Sequence, residues 1–334
     1  MDIKSEIVQF ANEIGVYYIG FSDTNFNSKF IEELLFRKEK GFLSGFEESD
    51  YVKRINVKGL MKEAKTIISI AVPYKTIDID KSKPYFSKSS LGIDYHKVVI
   101  NKLSQISDFI KEKYNGSCLY FCDIGPLADR EIAKKCGVGF YGKNTCIITE
   151  KFGSYVFLGE IITDIYIDRD KEKDLNCNNC DLCIKACPVQ AIEMPYRLNA
   201  KKCLSYISQK KERLSLHEID HLGTRIYGCD TCQDVCPYNR NAEKSNIEEF
   251  MPEKWNYDVD INYILSLSNK EFKNSIGLTS AGWRGKKIIM RNAIIAAGNS
   301  GREEYLTLLK KIDADDEMKY YVDIAIRKIN DKLK

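Results

Sequence analysis

Cys177-Asn178-Asn179-Cys180-Asp181-Leu182-Cys183-Ile184-Lys185-Ala186-Cys187-Pro188 is the stretch that organises the chain. Its spacing, C-x2-C-x2-C-x3-C-P, is that of bacterial two-cluster ferredoxins, in which the fourth cysteine serves the other cluster. A second run follows, Cys229-x2-Cys232-x3-Cys236-Pro237, with Ile226 where its first cysteine is expected. Cys203 is the remaining cysteine of the segment and replaces it. The ligand arithmetic then closes. One [4Fe–4S] cubane takes Cys177, Cys180, Cys183 and Cys236; the other takes Cys187, Cys203, Cys229 and Cys232. Soft thiolates suit iron–sulfur clusters, and the tight turns let a short segment wrap a cubane. Structural zinc is the plain alternative, since C-x2-C pairs also bind zinc. Zinc modules, however, usually hold two well-separated pairs, not three cysteines at x2 spacing followed by Cys-Pro. The pattern implies one-electron transfer between two close clusters.

The chain as a whole has 334 residues, roughly two or three domains. Of its twelve cysteines, eight lie between Cys177 and Cys236; Cys118, Cys122, Cys136 and Cys146 sit upstream at no repeating spacing. A disulfide framework suits a small secreted chain, and this one is long, with a charged start that lacks an apolar core. No apolar run approaches the ~20 residues of a membrane span. A cytoplasmic monomer is therefore expected. The net charge of +3 permits a local nucleic-acid patch without demanding one.

Residues 1–168 read as alternating helices and strands, an α/β domain. Asp2 caps a helix ended by Gly15. Further helices are expected over 30–40, 96–114 and 126–136. Strands are expected over 17–21, 66–72, 117–122, 144–149 and 155–165, with a loop over 74–90. The charged run 168–174 marks a boundary. A ferredoxin-like domain then spans 169–245. The region 246–334 is helical, with helices over 291–298, 303–312 and 318–329 that resemble one HEAT-type unit. The fold class is thus mixed α+β or α/β and multidomain.

Two motifs mislead. Gly137-Val138-Gly139-Phe140-Tyr141-Gly142 fits G-x-G-x-x-G, but it follows a helix and enters a strand, the reverse of a dinucleotide fingerprint. Read as a P-loop it has Asn144 where Ser or Thr is needed for magnesium. The glycines still mean a backbone that something approaches closely. Asp94-Tyr95-His96 begins an Asp-x-His-x-x-Gly cobalt-ligand pattern, but Val99 holds the glycine position. His96 is then a helix-start or core histidine.

Three stretches carry a family resemblance: Cys122-Asp123-Ile124-Gly125-Pro126-Leu127-Ala128-Asp129-Arg130, Gly137 to Thr145, and Tyr227-Gly228-Cys229-Asp230-Thr231-Cys232-Gln233-Asp234-Val235-Cys236-Pro237. With the first cysteine run they resemble the epoxyqueuosine reductases of queuosine biosynthesis, over nearly the whole chain. The C-terminal tail is shorter than in members with a fuller helical repeat. The resemblance implies cobalamin in the N-terminal domain and two [4Fe–4S] clusters beside it. It implies reduction of epoxyqueuosine to queuosine at the wobble position of a tRNA anticodon, with electrons from a donor the sequence does not identify. The fold and cofactors are related to those of reductive dehalogenases.

By the same resemblance Asp123 matches the proton donor. It follows a strand and precedes Gly125-Pro126 and a helix, and burial beside a corrin would raise its pKa. The plain alternative is a cap for the helix at 126–136. Arg54 matches a cobalamin contact, against a surface salt bridge. Tyr141, Lys143, Asn144 and Thr145 match a segment lining the corrin. Ile147 and Leu158 are candidates to pack on it, Ser87 to approach the cobalt region, and Ser205 to reach from the cluster module. For tRNA, Lys211 flanks the cluster helix; Arg284, Lys286, Lys287 and Arg291 make a basic stretch beside Trp283; Asn269 and Lys270 open a helix. Two other readings compete: a corrinoid reductase of a small molecule, active without RNA, and a ferredoxin-like electron carrier, which leaves Asp123 without a task.

Overall fold

The computed structural model describes residues 2–313 and 315–334. They form two compact units. The first comprises the chain up to Tyr74, Tyr95–Lys201 and Thr231–Ser245; the second comprises Lys75–Asp94, Lys202–Asp230 and Asn246–Lys334. This division cuts across the boundary expected at 168. The charged run there is pinned to the first unit: Asp170 accepts from Lys4 Nζ at 2.6 Å and from the Phe21 amide at 3.0 Å, and Lys134 pairs with Glu172 at 3.5 Å. The cluster segment is also divided, with Lys202–Asp230 in the second unit.

The first unit is built on a four-stranded sheet in the order Tyr18–Ser22, Thr66–Pro73, Val156–Thr163, Cys118–Phe121. Helix–strand alternation usually carries parallel strands, yet every neighbouring pair is antiparallel. Thr66–Pro73 is buried at all eight positions, as its continuous apolar run requires of a strand covered on both faces. The helix Tyr95–Tyr114 covers one face: a Cβ on Gly159 would lie 2.7 Å from Val99 and 2.9 Å from Leu103. The helix Asp129–Lys135 covers the other, where a Cβ on Gly20 would meet the carbonyl oxygen of Cys136 at 1.9 Å. This second face carries Ile67, Ala71, Ile132, Ala133, Cys136 and Ile162 in one apolar core.

Two local expectations change. The helix expected from 126 begins at Asp129, with Ala128 at its N-cap and no side-chain cap, so Asp123 is not a cap. The strand expected over 144–149 shrinks to Ile147–Ile148 and pairs with Phe140–Tyr141 outside the main sheet. The glycines before it answer to the chain itself. A Cβ on Gly139 would lie 2.6 Å from the Ile148 carbonyl oxygen, and one on Gly137, at φ +67°, 2.4 Å from that of Lys171.

In the second unit the expected loop 74–90 contains a short strand, Tyr85–Phe86, parallel to Arg225–Tyr227. The three expected C-terminal helices are Lys286–Ser300, Glu304–Lys310 and Asp316–Leu333. Arg291 is 1% exposed and donates to the carbonyl of Lys210 at 2.8 Å. It is a core strut of this unit, not a surface charge. Among the described residues no helix is long and apolar enough to cross a membrane.

Candidate active site and cluster site

The strand Cys118–Phe121 ends two residues before Asp123. Asp123 has φ +58°, and the Ile124 amide donates to the Cys122 carbonyl at 2.6 Å. That is a γ-turn with its centre in the left-handed region, a rare and strained form. It stands the aspartate off the sheet end. The Tyr95 hydroxyl donates to the Asp123 carboxylate. The Tyr95 ring lies between His96, with centroids 4.2 Å apart, and Phe157, at 4.0 Å and 9° from parallel. Phe157 in turn stacks on Tyr74 at 4.4 Å. His96 therefore buttresses Tyr95.

Asp123 is exposed, and Ile124 beside it is 85% exposed. The burial expected around Asp123 is not supplied by the chain's own atoms. It is found one layer deeper. Glu160 stands opposite Ser69 and Phe121 in the sheet, on the face under the helix Asp129–Lys135, and is 1% exposed. Asp129, the first residue of that helix, is within hydrogen-bond reach of both Glu160 and Asp123. Burial pushes the Asp129 carboxyl up to about 7, opposed by the bond to Glu160 and reinforced by the charge of Asp123. Burial, then the Asp129 charge, pushes Glu160 well above the carboxylate range. Neither Glu160 oxygen has a protein N–H or O–H donor. Two facing carboxylates have no donor between them, so their bond exists only while one carries a proton. Glu160 is the deeper of the two.

The remaining candidate residues fall into two groups. In the first unit, Arg54 is half-buried within electrostatic reach of Asp129 and Arg130. Arg130 donates to the Thr145 carbonyl at 2.9 Å and to its hydroxyl at 3.0 Å. Asn144 is buried, and its Nδ2 has no protein partner. Tyr141 and Leu158 pack at the margin of the core, whereas Ile147, 3% exposed, lies inside it as an ordinary core residue. Lys143 turns away from its expected role. Its Nζ donates to the carbonyls of Asn178 at 2.7 Å and Cys180 at 2.8 Å, and its amide to Cys177 Sγ at 3.4 Å. It fastens the cysteine loop. In the second unit, Ser87 is 1% exposed and packed against Gly228, so its hydroxyl serves Ser89 and Ser90. The Ser205 carbonyl accepts from Ser208 and Gln209.

Cys177, Cys180, Cys183 and Cys236 line one cavity, with Asn144, Ile148, Pro237 and Tyr238 as walls. The short hairpin that misled as a nucleotide motif is one of those walls, since Phe140 and Ile148 pack on Cys236. The crowded thiols resist ionisation together: burial, then Cys177, Cys236 and Cys180, pushes Cys183 up to about 11. A cationic iron core removes that penalty, so the donor set fits a cubane. Of the other four cysteines, Cys187 and Cys232 belong to the first unit, Cys203 and Cys229 to the second. Among the described residues no group of three or more His, Cys, Asp or Glu side chains is gathered for a single metal ion.

The expected RNA-binding residues all lie in the second unit. Lys211, Asn269 and Lys270 are exposed. Trp283 is 54% exposed; its indole N–H donates to Gln209 Oε1 at 2.9 Å, and the Arg284 guanidinium sits 4.5 Å from its ring while Nε donates to the Gln209 carbonyl at 2.6 Å. Lys287 is paired with Asp315 at 3.0 Å and Glu317 at 2.7 Å.

Comparison with known proteins places these residues in a family. Residues 54–124 match the model "Epoxyqueuosine reductase QueG, DUF1730", and residues 176–239 the model "4Fe-4S double cluster binding domain". Epoxyqueuosine reductase of Bacillus subtilis is 38% identical over 302 residues, covering 88% of this chain and 78% of that one. The chain belongs to the epoxyqueuosine reductase family. The member from Lactococcus garvieae is 36% identical over 341 residues, 99% of this chain and 97% of that one. Among solved structures, the Bacillus subtilis epoxyqueuosine reductase, with its catalytic aspartate loop swung out of the active site, superposes with a TM-score of 0.92 at 36% identity, covering 98% of this chain and 90% of that one. An epoxyqueuosine reductase bound to an epoxyqueuosine-modified tRNA-Tyr stem loop gives 0.87 at 34%, covering 98% and 99%.

The sequence singles out Asp123 but gives no role to Tyr95, Asp129, Arg130 or Glu160. Glu160 does carry a signal: it is the one charge in the strand Val156–Thr163.

Proposed function

We propose that this chain reduces epoxyqueuosine to queuosine in tRNA, in the cytoplasm, with Asp123 as the proton donor. The observation that carries this reading is Asp123 itself. It stands in a strained turn at a strand end, held by Tyr95, in the same unit as the four-cysteine cavity. Family membership supplies the substrate.

Converting an epoxide to an alkene breaks both C–O bonds, consumes two electrons and two protons, and releases water. Cobalamin, when bound, supplies the reductive carbon–oxygen chemistry, and the clusters deliver electrons one at a time. The residues present suit that group. The Asn144 Nδ2 offers a donor with no protein partner, Ile124 offers an uncovered apolar side chain, and Arg54 and Tyr141 add polar and aromatic contacts. Asp123 holds a proton at its carboxyl for the departing oxygen, and the Tyr95 hydroxyl fixes which way that carboxyl faces. Lys143 and the Cys177 loop hold the first cluster; Cys187, Cys203, Cys229 and Cys232 are the proposed ligands of the second. Lys211, Lys270, Lys286 and Arg284 are the proposed phosphate-binding cations, with Trp283 as a stacking platform.

The test is anaerobic reconstitution with iron, sulfide and cobalamin, then incubation with an epoxyqueuosine-bearing stem loop and a strong reductant. Conversion to queuosine that needs cobalamin is expected. Bound cofactors without conversion would favour a small-molecule reductase, and clusters without cobalamin an electron carrier.

A further inference from the structure

We infer that Asp129 and Glu160 form a two-carboxyl proton relay behind Asp123, returning a proton to it from inside the protein. The inference rests on the epoxide-reduction reading. That reaction needs two protons, and Asp123 carries at most one. Once Asp123 has given its proton to the departing oxygen it is a carboxylate, and a second proton must arrive before the oxygen leaves as water. A substrate seated over Asp123 restricts the solvent that otherwise serves this exposed group, and the restriction tells most at high pH, where solvent protons are scarce. The titratable path that remains runs inward.

Its geometry is specific. Asp129 opens the helix over Glu160 and lies within hydrogen-bond reach of both neighbours, so once protonated it can take a proton from Glu160 on one side and pass one to Asp123 on the other. Glu160 is sealed under the helix Asp129–Lys135, with no protein N–H or O–H donor to satisfy it as an anion. A buried carboxyl without donors is a costly place for a charge and an easy place for a proton. The charged and titratable groups around the pair are Asp123 from the turn, Arg130 from the helix, Arg54 from the preceding loop and Cys136 from the helix end. Tyr95 reaches the relay only through Asp123, and Ser69 faces Glu160 across the sheet. The two guanidiniums favour an ionised Asp129, which keeps its proton transferable; Glu160, farther back, keeps its own. In the transfer, the O–H of Asp129 breaks as that of Asp123 forms, and Glu160 reprotonates Asp129. The pair is left a monoanion and recovers a proton from solvent after product leaves. Asp129 and Glu160 are positioning residues, acting only through Asp123.

Two measurements on the full reconstituted chain test this. Infrared pH titration of the wild-type protein should show a neutral carboxylic acid band persisting above the usual carboxylate range, absent from Glu160→Gln. The pH profile of kcat, read with the stem loop and excess reductant, should have an alkaline limb that moves to lower pH in Glu160→Gln and in Asp129→Asn. At pH 8 kcat should fall about tenfold or more with KM unchanged, and at pH 6 much less. Loss of kcat equal at all pH values would indicate a merely structural role and overturn the relay. So would profiles that superimpose on wild type, or the absence of the band. If the wild-type holoenzyme fails to convert the stem loop while the band is present, it is the substrate reading that fails, and the relay falls with it for lack of a reaction to feed.

Discussion

Asp123 shows how a short polar residue takes up a position that neither propensity nor burial assigns it. Its positive φ and the bond across its own turn displace it from the capping position that an aspartate before a helix ordinarily takes, and Ala128 caps nothing. Lys143 shows the reverse. Expected at the cofactor, it instead holds the backbone of the cysteine loop by two carbonyls and one amide-to-sulfur bond. Lys143→Met keeps the apolar stem and removes the charge-assisted bonds, each worth roughly 1.5–3 kcal/mol. The expected outcome is a cluster removed several-fold faster by a chelator, followed by its visible absorbance, with the fold retained by circular dichroism. The cysteines themselves are legible in the sequence because a cubane imposes fixed spacings on the chain. Tyr95, Asp129 and Glu160 are not, because their meaning depends on cross-strand register and on which face a helix covers.

Among the elements, the strand Val156–Thr163 bears a cost the sequence makes visible. It is apolar and central, and it places a carboxyl in the core at Glu160. The stability consequence has a definite sign. The folded protein favours protons on Asp129 and Glu160 that the unfolded chain releases near pH 3.8 and 4.5 respectively. Stability is therefore lost as pH rises from about 3.8 through about 7 for Asp129, and from about 4.5 upward for Glu160, whose carboxyl is pushed up in the same direction. Glu160→Gln removes the titration at near-constant volume. It should raise Tm little at pH 5 and clearly at pH 8, measured by thermal melts across pH. The same strand explains why the sheet's direction is illegible in the sequence. Helix–strand alternation gives the succession of elements, but antiparallel pairing of Val156–Thr163 with both Thr66–Pro73 and Cys118–Phe121 is a long-range choice. Likewise the charged run 168–174 has the composition of a linker, and its bonds to Lys4, Phe21, Asp23, Lys134 and Glu150 make it part of the first unit.

At the scale of the whole molecule, Asp123 and the four-cysteine cavity lie in the first unit, and the basic residues proposed for RNA all lie in the second. Those cations are not equivalent. Lys287 is already neutralised by Asp315 and Glu317, and Arg291 is buried, whereas Lys211 and Lys270 are exposed and show no ion pair among the described residues. Lys211→Glu and Lys270→Glu should each weaken stem-loop binding and lower the salt slope by about one, the value for a single phosphate left without its cation, while Lys287→Gln should change the slope little. The most direct measurement is turnover of an epoxyqueuosine-bearing stem loop by the reconstituted wild-type protein and by Asp123→Asn, with equal cofactor loading shown by absorbance. Wild type should yield queuosine, and Asp123→Asn should be slower by about a hundredfold or more with RNA affinity unchanged. Equal turnover of the two proteins would contradict the role given to Asp123, and absence of conversion by wild type would contradict the proposed reaction.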